Sequence, residues 1–177
     1  MIYYSHKKQT GVVLVISLIM LLLLTIIGIT SMQVTGLEEK MAGNYRDHNI
    51  AFQAAETALR AGEANIFNIV ALGAFDGTNG LLGDTDDLHD YSAATTWSSN
   101  ANSIEYIPNI SGMTTKPRYY IKFLSTGVDS SAASINISSY GNSNAGGALS
   151  YFLVTARGTG GRDSTPVILR SHYAKRF

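Results

Sequence analysis

The sequence predicts an α+β fold in which a long N-terminal α-helix, membrane-spanning in its first half, packs on a small antiparallel β-sheet. Three observations predict it. No charged residue stands between Lys8 and Glu38, no proline precedes Pro108, and three segments near the C-terminus are rich in β-branched and aromatic residues. The 177 residues leave room for one modest domain beyond the membrane segment.

The composition excludes several classes of function. A net charge of zero and a charged fraction of 15% give no electrostatic basis for binding nucleic acid. The chain has no cysteine, which excludes a disulfide framework, cysteine-ligated zinc and a thiol nucleophile. No G-x-S-x-G elbow or similar catalytic frame occurs. We therefore expect neither an enzyme nor a bound cofactor.

The N-terminal segment has the features of a retained membrane anchor. The apolar run from Val12 to Ile29 approaches the length of about 20 residues that a spanning helix needs, and the uncharged chain continues to Leu37. A secretory signal has a shorter apolar region of about 7–15 residues, followed by a small-residue cleavage site that is missing here. Lys7 and Lys8 precede the run, which predicts a single pass with a cytoplasmic N-terminus and an exported C-terminal domain.

Beyond the membrane segment, apolar and small residues recur at mixed three- and four-residue spacing, which predicts an amphipathic helix to about Leu72. The face comprises Val34, Leu37, Met41, Tyr45, Phe52, Ala55, Leu59, Gly62, Ile66 and Ile69. His48 interrupts it. We expect the part from Phe52 onward to cover the sheet. Thr35 and Glu38 have the spacing of a capping box. Together with Gly36 and Gly43, they leave open whether the helix is continuous.

After about Leu72 the chain becomes rich in Gly, Asp, Ser, Thr and Asn, and we expect residues 73–117 to form loops with one short helix or strand. Three later segments read as strands: Arg118 to Leu124, Ser150 to Arg157 and Pro166 to Tyr173. Gly158 to Ser164, between the last two, is predicted to be a hairpin loop.

Four aspartates lie close together in one loop: Asp84, Asp86, Asp87 and Asp90. Calcium prefers oxygen ligands at alternating positions of a flexible loop. The twelve-residue calcium pattern is nevertheless absent, since its sixth position is not Gly and its twelfth is not Glu. We interpret the segment as a solvated acidic loop and keep a calcium site as the alternative. No other metal site is expected.

The segment that follows the membrane helix, Leu37 to Arg60, reads LEEKMAGNYRDHNIAFQAAETALR. It resembles the N-terminal block of PilX-type minor pilins of type IV pili, whose pattern after the membrane helix is LEERMAGN-RD-N-AFQAAE-ALR. The likeness extends from Gly11 to about Glu63. It implies the type IV pilin architecture of a helix on a sheet. It also implies assembly roles for the matched positions Glu38, Glu39, Met41, Asn44, Arg46, Phe52 and Glu56.

Gly11 lies between the basic head and the apolar run, as in type IV prepilins. The resemblance implies cleavage by a prepilin peptidase after Gly11 and N-methylation of Val12. Residues 1–11 are then a leader, 12–37 the membrane and filament-core helix, 38–72 a periplasmic helix and 73–177 the periplasmic head. One departure concerns the mature N-terminus: most pilins begin with Phe and carry Glu at the fifth position, where this chain has Val12 and Ile16.

Ile16 is informative because a charged side chain in hydrocarbon costs about 2.5–3.5 kcal/mol on the translocon scale. A pilin with that carboxylate is driven to pair it with a cation such as the N-terminal ammonium of a neighbouring subunit. This chain needs no such partner, yet Val12 can offer its own ammonium. We therefore expect it to start or cap an assembly rather than repeat along a shaft. The alternative is that any apolar residue is tolerated there.

The resemblance implies a minor pilin that takes part in initiating pilus assembly and sits at the pilus tip. Its partners are then other minor pilins, the major pilin and a PilY-type tip adhesin. Its location is the inner membrane and later the cell-surface pilus, with roles in adhesion and twitching motility. Two alternatives stay open. A tip pseudopilin of a type II secretion system usually has a larger exported domain, and a membrane-anchored binding module would keep its N-terminus uncleaved at Gly11.

Overall fold

The computed structural model describes residues 11–106, 111–127 and 148–176. The chain divides into two compact units, of which the first ends at Tyr45 and the second begins at Arg46. Helix α1, Val12–Asn68, provides almost all of the described first unit and the beginning of the second. The second unit adds a small β-sheet on which α1 packs. The predicted α+β fold is therefore confirmed.

Helix α1 passes through Gly36 and Gly43 without interruption. The hydroxyl of Thr35 donates to the carbonyl of Ser31 at 3.0 Å and does not cap a new helix. Of the two possibilities that the capping-box spacing left open, the structure therefore has the continuous helix, because a threonine inside a helix can return its hydroxyl to the preceding turn. The helix ends at Asn68, before the expected end near Leu72, and a 3-10 turn follows at Leu72–Ala74.

The described sheet has the order β1-β3-β4-β5, with β2 also paired to β3. Its strands are β1 Leu81–Leu82, β2 Ile104–Glu105, β3 Arg118–Gly127, β4 Leu149–Thr159 and β5 Pro166–Arg176. The three predicted strands are confirmed as β3, β4 and β5, each longer than expected. Strand β1 pairs parallel to β3, whereas the other pairs are antiparallel. The sheet is therefore mixed at one edge, which a two-residue strand gives no pattern to predict.

The segment expected as loops with one short element contributes Phe75 to the core on the α1 side and otherwise covers part of the opposite sheet face. It contains β1, β2 and a short helix α2, Ala94–Ser98. Trp97 of α2 forms a buried cluster with Leu82 and Tyr120. The indole N–H of Trp97 donates to the carbonyl of Tyr91 at 2.8 Å, which satisfies a polar group that burial would otherwise penalise. The segment is thus a packed layer.

On its other face the sheet packs on α1 through small residues. The buried residues of α1 are Ala51, Ala54, Ala55, Ala58, Gly62 and Ile66. Leu59 is half-buried and packs against the core as expected, whereas the predicted face is wrong at Phe52, which is 42% exposed. The reason is the close approach of β4: a Cβ on Gly158 would lie 2.3 Å from the Ala55 nitrogen. Gly158 was predicted in the hairpin loop, but it lies in β4, where only glycine fits.

Candidate assembly site

The Gly11–Val12 junction lies at the first turn of α1. Gly11 has a φ of +62°, in the left-handed region that favours glycine, and its carbonyl accepts a hydrogen bond from the N–H of Leu14 at 3.1 Å. The Val12 side chain is 63% exposed. The rest of the predicted leader, residues 1–10, lies outside the described residues. Cleavage after Gly11 and methylation of Val12 stay predictions.

The first half of α1 presents an apolar surface on all sides. Helix α1 is long and apolar enough to cross a membrane; its most apolar window has a mean hydropathy of 3.2 and contains no buried residue. The hydroxyls within the segment donate to carbonyls of the preceding turn, as Ser17 does to Leu14 and Thr25 to Leu22. Each therefore has a partner without water, as hydrocarbon requires. This surface fits a membrane anchor.

Ile16 is part of this apolar surface, with 51% of its side chain exposed. No ionisable side chain occurs on α1 before Glu38. Where most pilins carry a carboxylate, this helix therefore presents an aliphatic side chain that has no electrostatic preference for a neighbouring charge.

The next predicted assembly residues are exposed on α1 within the first unit. They are Glu38, Glu39, Met41 and Asn44, and the Met41 side chain is 62% exposed. Within the described chain, none of these side chains makes a hydrogen bond or an ion pair. They are available to another subunit.

The remaining predicted residues, Arg46, Phe52 and Glu56, belong to the second unit. Arg46 is exposed, and Phe52 is partly exposed beside the alanine face. Glu56 forms an ion pair with Arg60 one turn further along α1; the Arg60 side chain is largely in solvent and that of Glu56 is partly exposed. Such a pair contributes about 0.3–0.5 kcal/mol to helix stability. Four of these predicted assembly residues thus lie on α1 in the first unit and three in the second.

The four aspartates of the acidic loop do not form a shared metal site. A carboxylate oxygen of Asp86 accepts the N–H of Gly83 at 2.7 Å, and Asp90 accepts the N–H and hydroxyl of Ser92 at 2.8 and 2.6 Å. The bonds from Ser92 lower the pKa of Asp90 below its usual value. Among the described residues, no three His, Asp or Glu side chains are grouped to hold a metal ion.

The cation within this loop is the ammonium group of Lys122 on β3. It donates to the carbonyls of Gly83 at 3.0 Å and Asp84 at 3.4 Å, and also to that of Asp86. Backbone oxygens of the kind that bind calcium are here directed at a lysine. Sequence reasoning missed this contact, although the alternation of β3 places Lys122 on the same sheet face as Tyr120.

Within the part of the chain that the structure describes, the side chains of Asp47, Glu63 and Lys175 connect α1 to the β4–β5 hairpin. A carboxylate oxygen of Asp47 accepts the N–H of Gly161, and Glu63 accepts the hydroxyl of Ser171 at 2.5 Å. Lys175 donates to the carbonyls of Ile66 at 3.1 Å and Phe67 at 2.8 Å in the last turn of α1, and to that of Ile69 just beyond it. A cation there satisfies free carbonyls and complements the helix dipole. The partners are far apart in the sequence, so no local signal predicted them.

A groove of about 580 Å³ runs beside α1 on the side of β2 and β3. Its residues are Thr57, Arg60, Ala61, Ala64, Asn65, Asn68, Tyr106 and Tyr119. Asn65 donates to the Tyr119 hydroxyl at 3.1 Å, and burial raises the pKa of Tyr119 above its usual value. The groove is open to solvent and its lining is mostly neutral, so it offers a contact surface rather than a reaction site.

Two family models match the chain. One, described as PilX N-terminal, matches residues 10–60; the other, described as Type IV pilus assembly protein PilX C-term, matches residues 76–175. A search of curated proteins and a search of solved structures each found no match. Together the two matches cover most of α1 and nearly all of the sheet. The chain therefore belongs to the PilX family of type IV pilus minor pilins.

Proposed function

We propose that this minor pilin takes part in initiating pilus assembly and sits at the pilus tip in a complex with other minor pilins. In this proposal α1 enters the filament core from the inner membrane, and the domain from Arg46 onward faces other subunits and a PilY-type adhesin. Adhesion and twitching motility then depend on the chain indirectly, through the number of pili.

The observation that carries this proposal is Ile16. A shaft subunit must accept a neighbour on both sides, and a buried carboxylate paired with the next N-terminal ammonium gives each addition a register. This chain can offer the ammonium of Val12 but has no carboxylate on its apolar segment to receive another. It therefore suits one end of the filament.

The proposal includes processing by a prepilin peptidase. Cleavage between Gly11 and Val12 removes the charged head and leaves an apolar helix with a terminal amine, which is then methylated. The intact mass of the protein extracted from membranes tests this step. Loss of residues 1–11 together with one added methyl group is expected. Retention of Met1 to Gly11 would instead support a membrane-anchored binding module.

The role at the tip is tested with Ile16→Glu and its matched control Ile16→Val. The control preserves an apolar side chain and should leave pilus number and the position of the protein unchanged. Ile16→Glu gives the chain the carboxylate of a shaft subunit, so we expect immunogold label to spread from the filament end into the shaft. If both variants stay at the filament end in equal amounts, the carboxylate does not determine position and the argument from Ile16 fails.

Family membership supports a type IV pilus over a type II secretion system. Deleting the gene should therefore reduce surface pili before it affects secreted enzymes. Loss of secretion with a normal number of pili would favour the tip pseudopilin.

A further inference from the structure

The outer edge of β5 is long and regular. Within the described residues, β5 pairs with β4 from Pro166 to Arg176 without a bulge, and no strand pairs with its other edge. Edge strands are usually protected by being short, bulged, interrupted by proline or covered. The only proline of β5 is its first residue, and among the described residues the protection of its interior consists of charged side chains such as Arg170 and Lys175.

The hydrogen bonds of β3 to its neighbours β1 and β2 determine which residues of β5 direct their backbone N–H and carbonyl groups outward. The N–H of Tyr106 donates to the carbonyl of Pro117 at 2.9 Å, and the N–H of Ile121 donates to the carbonyl of Gly80 at 2.8 Å. Odd-numbered residues at the start of β3 therefore direct their backbone groups away from β4. Because these directions alternate along a strand, the even-numbered residues of β3 bond to β4.

The same alternation extends to the outer edge. Tyr120 is paired with Thr155, so the next residue of β4, Val154, directs its backbone groups toward its partner Ser171. In β5 the odd-numbered residues therefore bond to β4 and the even-numbered ones point outward. The outward N–H and carbonyl groups include those of Ile168, Arg170, His172 and Ala174.

The two sides of this edge differ chemically. On the α1 side, Phe67 is 70% exposed, and its ring centroid lies 5.9 Å from the Lys175 ammonium of β5. On the opposite side, the Arg170 guanidinium lies 4.2 Å from the ring centroid of Tyr91, and His172 shares its face. An added strand would thus place alternate residues beside an apolar surface and beside cationic groups.

We propose that the outer edge of β5 binds an extended segment of another protein, in which acidic and apolar residues alternate, as an added strand. Backbone hydrogen bonds to the even-numbered residues hold the segment. Its acidic side chains lie opposite Arg170 and His172, and its apolar ones cover Phe67. Pairing with a second copy of β5 is disfavoured, because β5 contains Arg170, Lys175 and Arg176 and no acidic residue. The proposal does not depend on the position of the chain in the filament.

The test uses the full chain in detergent micelles and three labelled eleven-residue peptides. One alternates Glu and Val, the second alternates Lys and Val, and the third has the Glu/Val composition in shuffled order. Fluorescence anisotropy should show that the alternating acidic peptide binds at least about tenfold more tightly than the other two. Hydrogen exchange should slow at residues 168–174 when it binds.

Two variants and a control test whether the peptide binds at the outer edge of β5. Ala174→Pro removes one outward N–H and leaves the bonds to β4, and edge strands accept proline there. It should weaken binding about tenfold, whereas Ala174→Ser should bind like the unchanged chain. Arg170→Glu keeps the edge and should reverse the preference toward the Lys/Val peptide.

Several results would overturn the proposal. If no peptide binds, the basic residues of β5 serve only to protect the edge. If Ala174→Pro binds as well as Ala174→Ser, the peptide sits elsewhere. If the chain instead dimerises in a concentration-dependent way that Ala174→Pro abolishes, the edge takes a second copy and the proposed occupant is wrong.

Discussion

Replacing Gly158 by alanine perturbs the closest contact between α1 and the sheet. The added Cβ would lie 2.3 Å from the backbone nitrogen of Ala55 and 2.4 Å from the carbonyl oxygen of Ala51, whereas ordinary contacts begin near 3.4 Å. Both neighbours are backbone atoms of a hydrogen-bonded helix, so no side chain can rotate away. The helix must retreat from β4 by about 1 Å, which opens gaps along the alanine face.

Overpacking of this kind costs about 1–3 kcal/mol of folding stability. Because the new Cβ would clash with two backbone atoms, we expect Gly158→Ala to cost an amount at the upper end of this range. For a folded unit of this size, about 3 kcal/mol lowers the melting temperature by about 10 °C. Thermal unfolding of the full chain in micelles, followed by the fluorescence of Trp97, measures the effect.

Gly73→Ala is the matched control, because a Cβ there would meet no atom within 4 Å and the residue has no positive φ. It should leave the melting temperature unchanged or slightly raised, since alanine restricts the unfolded chain. Equal melting of Gly158→Ala and Gly73→Ala would refute the close packing of α1 on β4.

Three further predictions concern the polar contacts of the second unit. Lys122→Met should destabilise the unit by about 1–3 kcal/mol, because three carbonyls lose their partner. Because Lys122 takes these carbonyls, calcium should not raise the melting temperature of the unchanged chain. A calcium-dependent rise would contradict the assignment of Lys122 as the cation of this loop. The pKa of Asp90 is lowered in the folded chain, so its contribution to stability is present above its usual pKa of 3.8 and is lost as the pH falls through the lower folded value. Asp90→Asn should therefore be less stable at pH 7 and respond less to acid, measured by Trp97 fluorescence during urea unfolding; an unchanged acid response would contradict the assignment. Lys175→Met should cost about 1 kcal/mol by uncapping α1, and hydrogen exchange should speed up in the last turn of that helix alone.

The helix and strands that were predicted from the sequence are those with a clear pattern of apolar residues. The uncharged run and the three- and four-residue spacing predicted α1, and the aromatic and β-branched segments predicted β3, β4 and β5. The contact face of α1 was misassigned at Phe52, because a periodic row identifies apolar side chains but not how closely a neighbouring strand approaches. Gly158 was assigned to a loop for the same reason, since glycine marks both turns and close contacts.

The candidate site was predicted in a different way. The assembly residues between Glu38 and Glu56 were predicted from their match to the PilX N-terminal pattern. The structure places them on α1 but gives no separate role to each side chain. The cation of the acidic loop could not be predicted, because Lys122 and Asp86 meet only after β3 joins the sheet. The outer edge of β5 was likewise invisible, since strand order is a property of the whole sheet.

The central claim is that this minor pilin occupies one end of the filament. It is tested most directly by immunogold labelling of sheared pili from cells that express the unchanged chain at its natural level, with the major pilin labelled in parallel. Label for this chain is expected at one filament end while the major pilin is labelled throughout. Uniform labelling of the shaft at the density of the major pilin would contradict the claim.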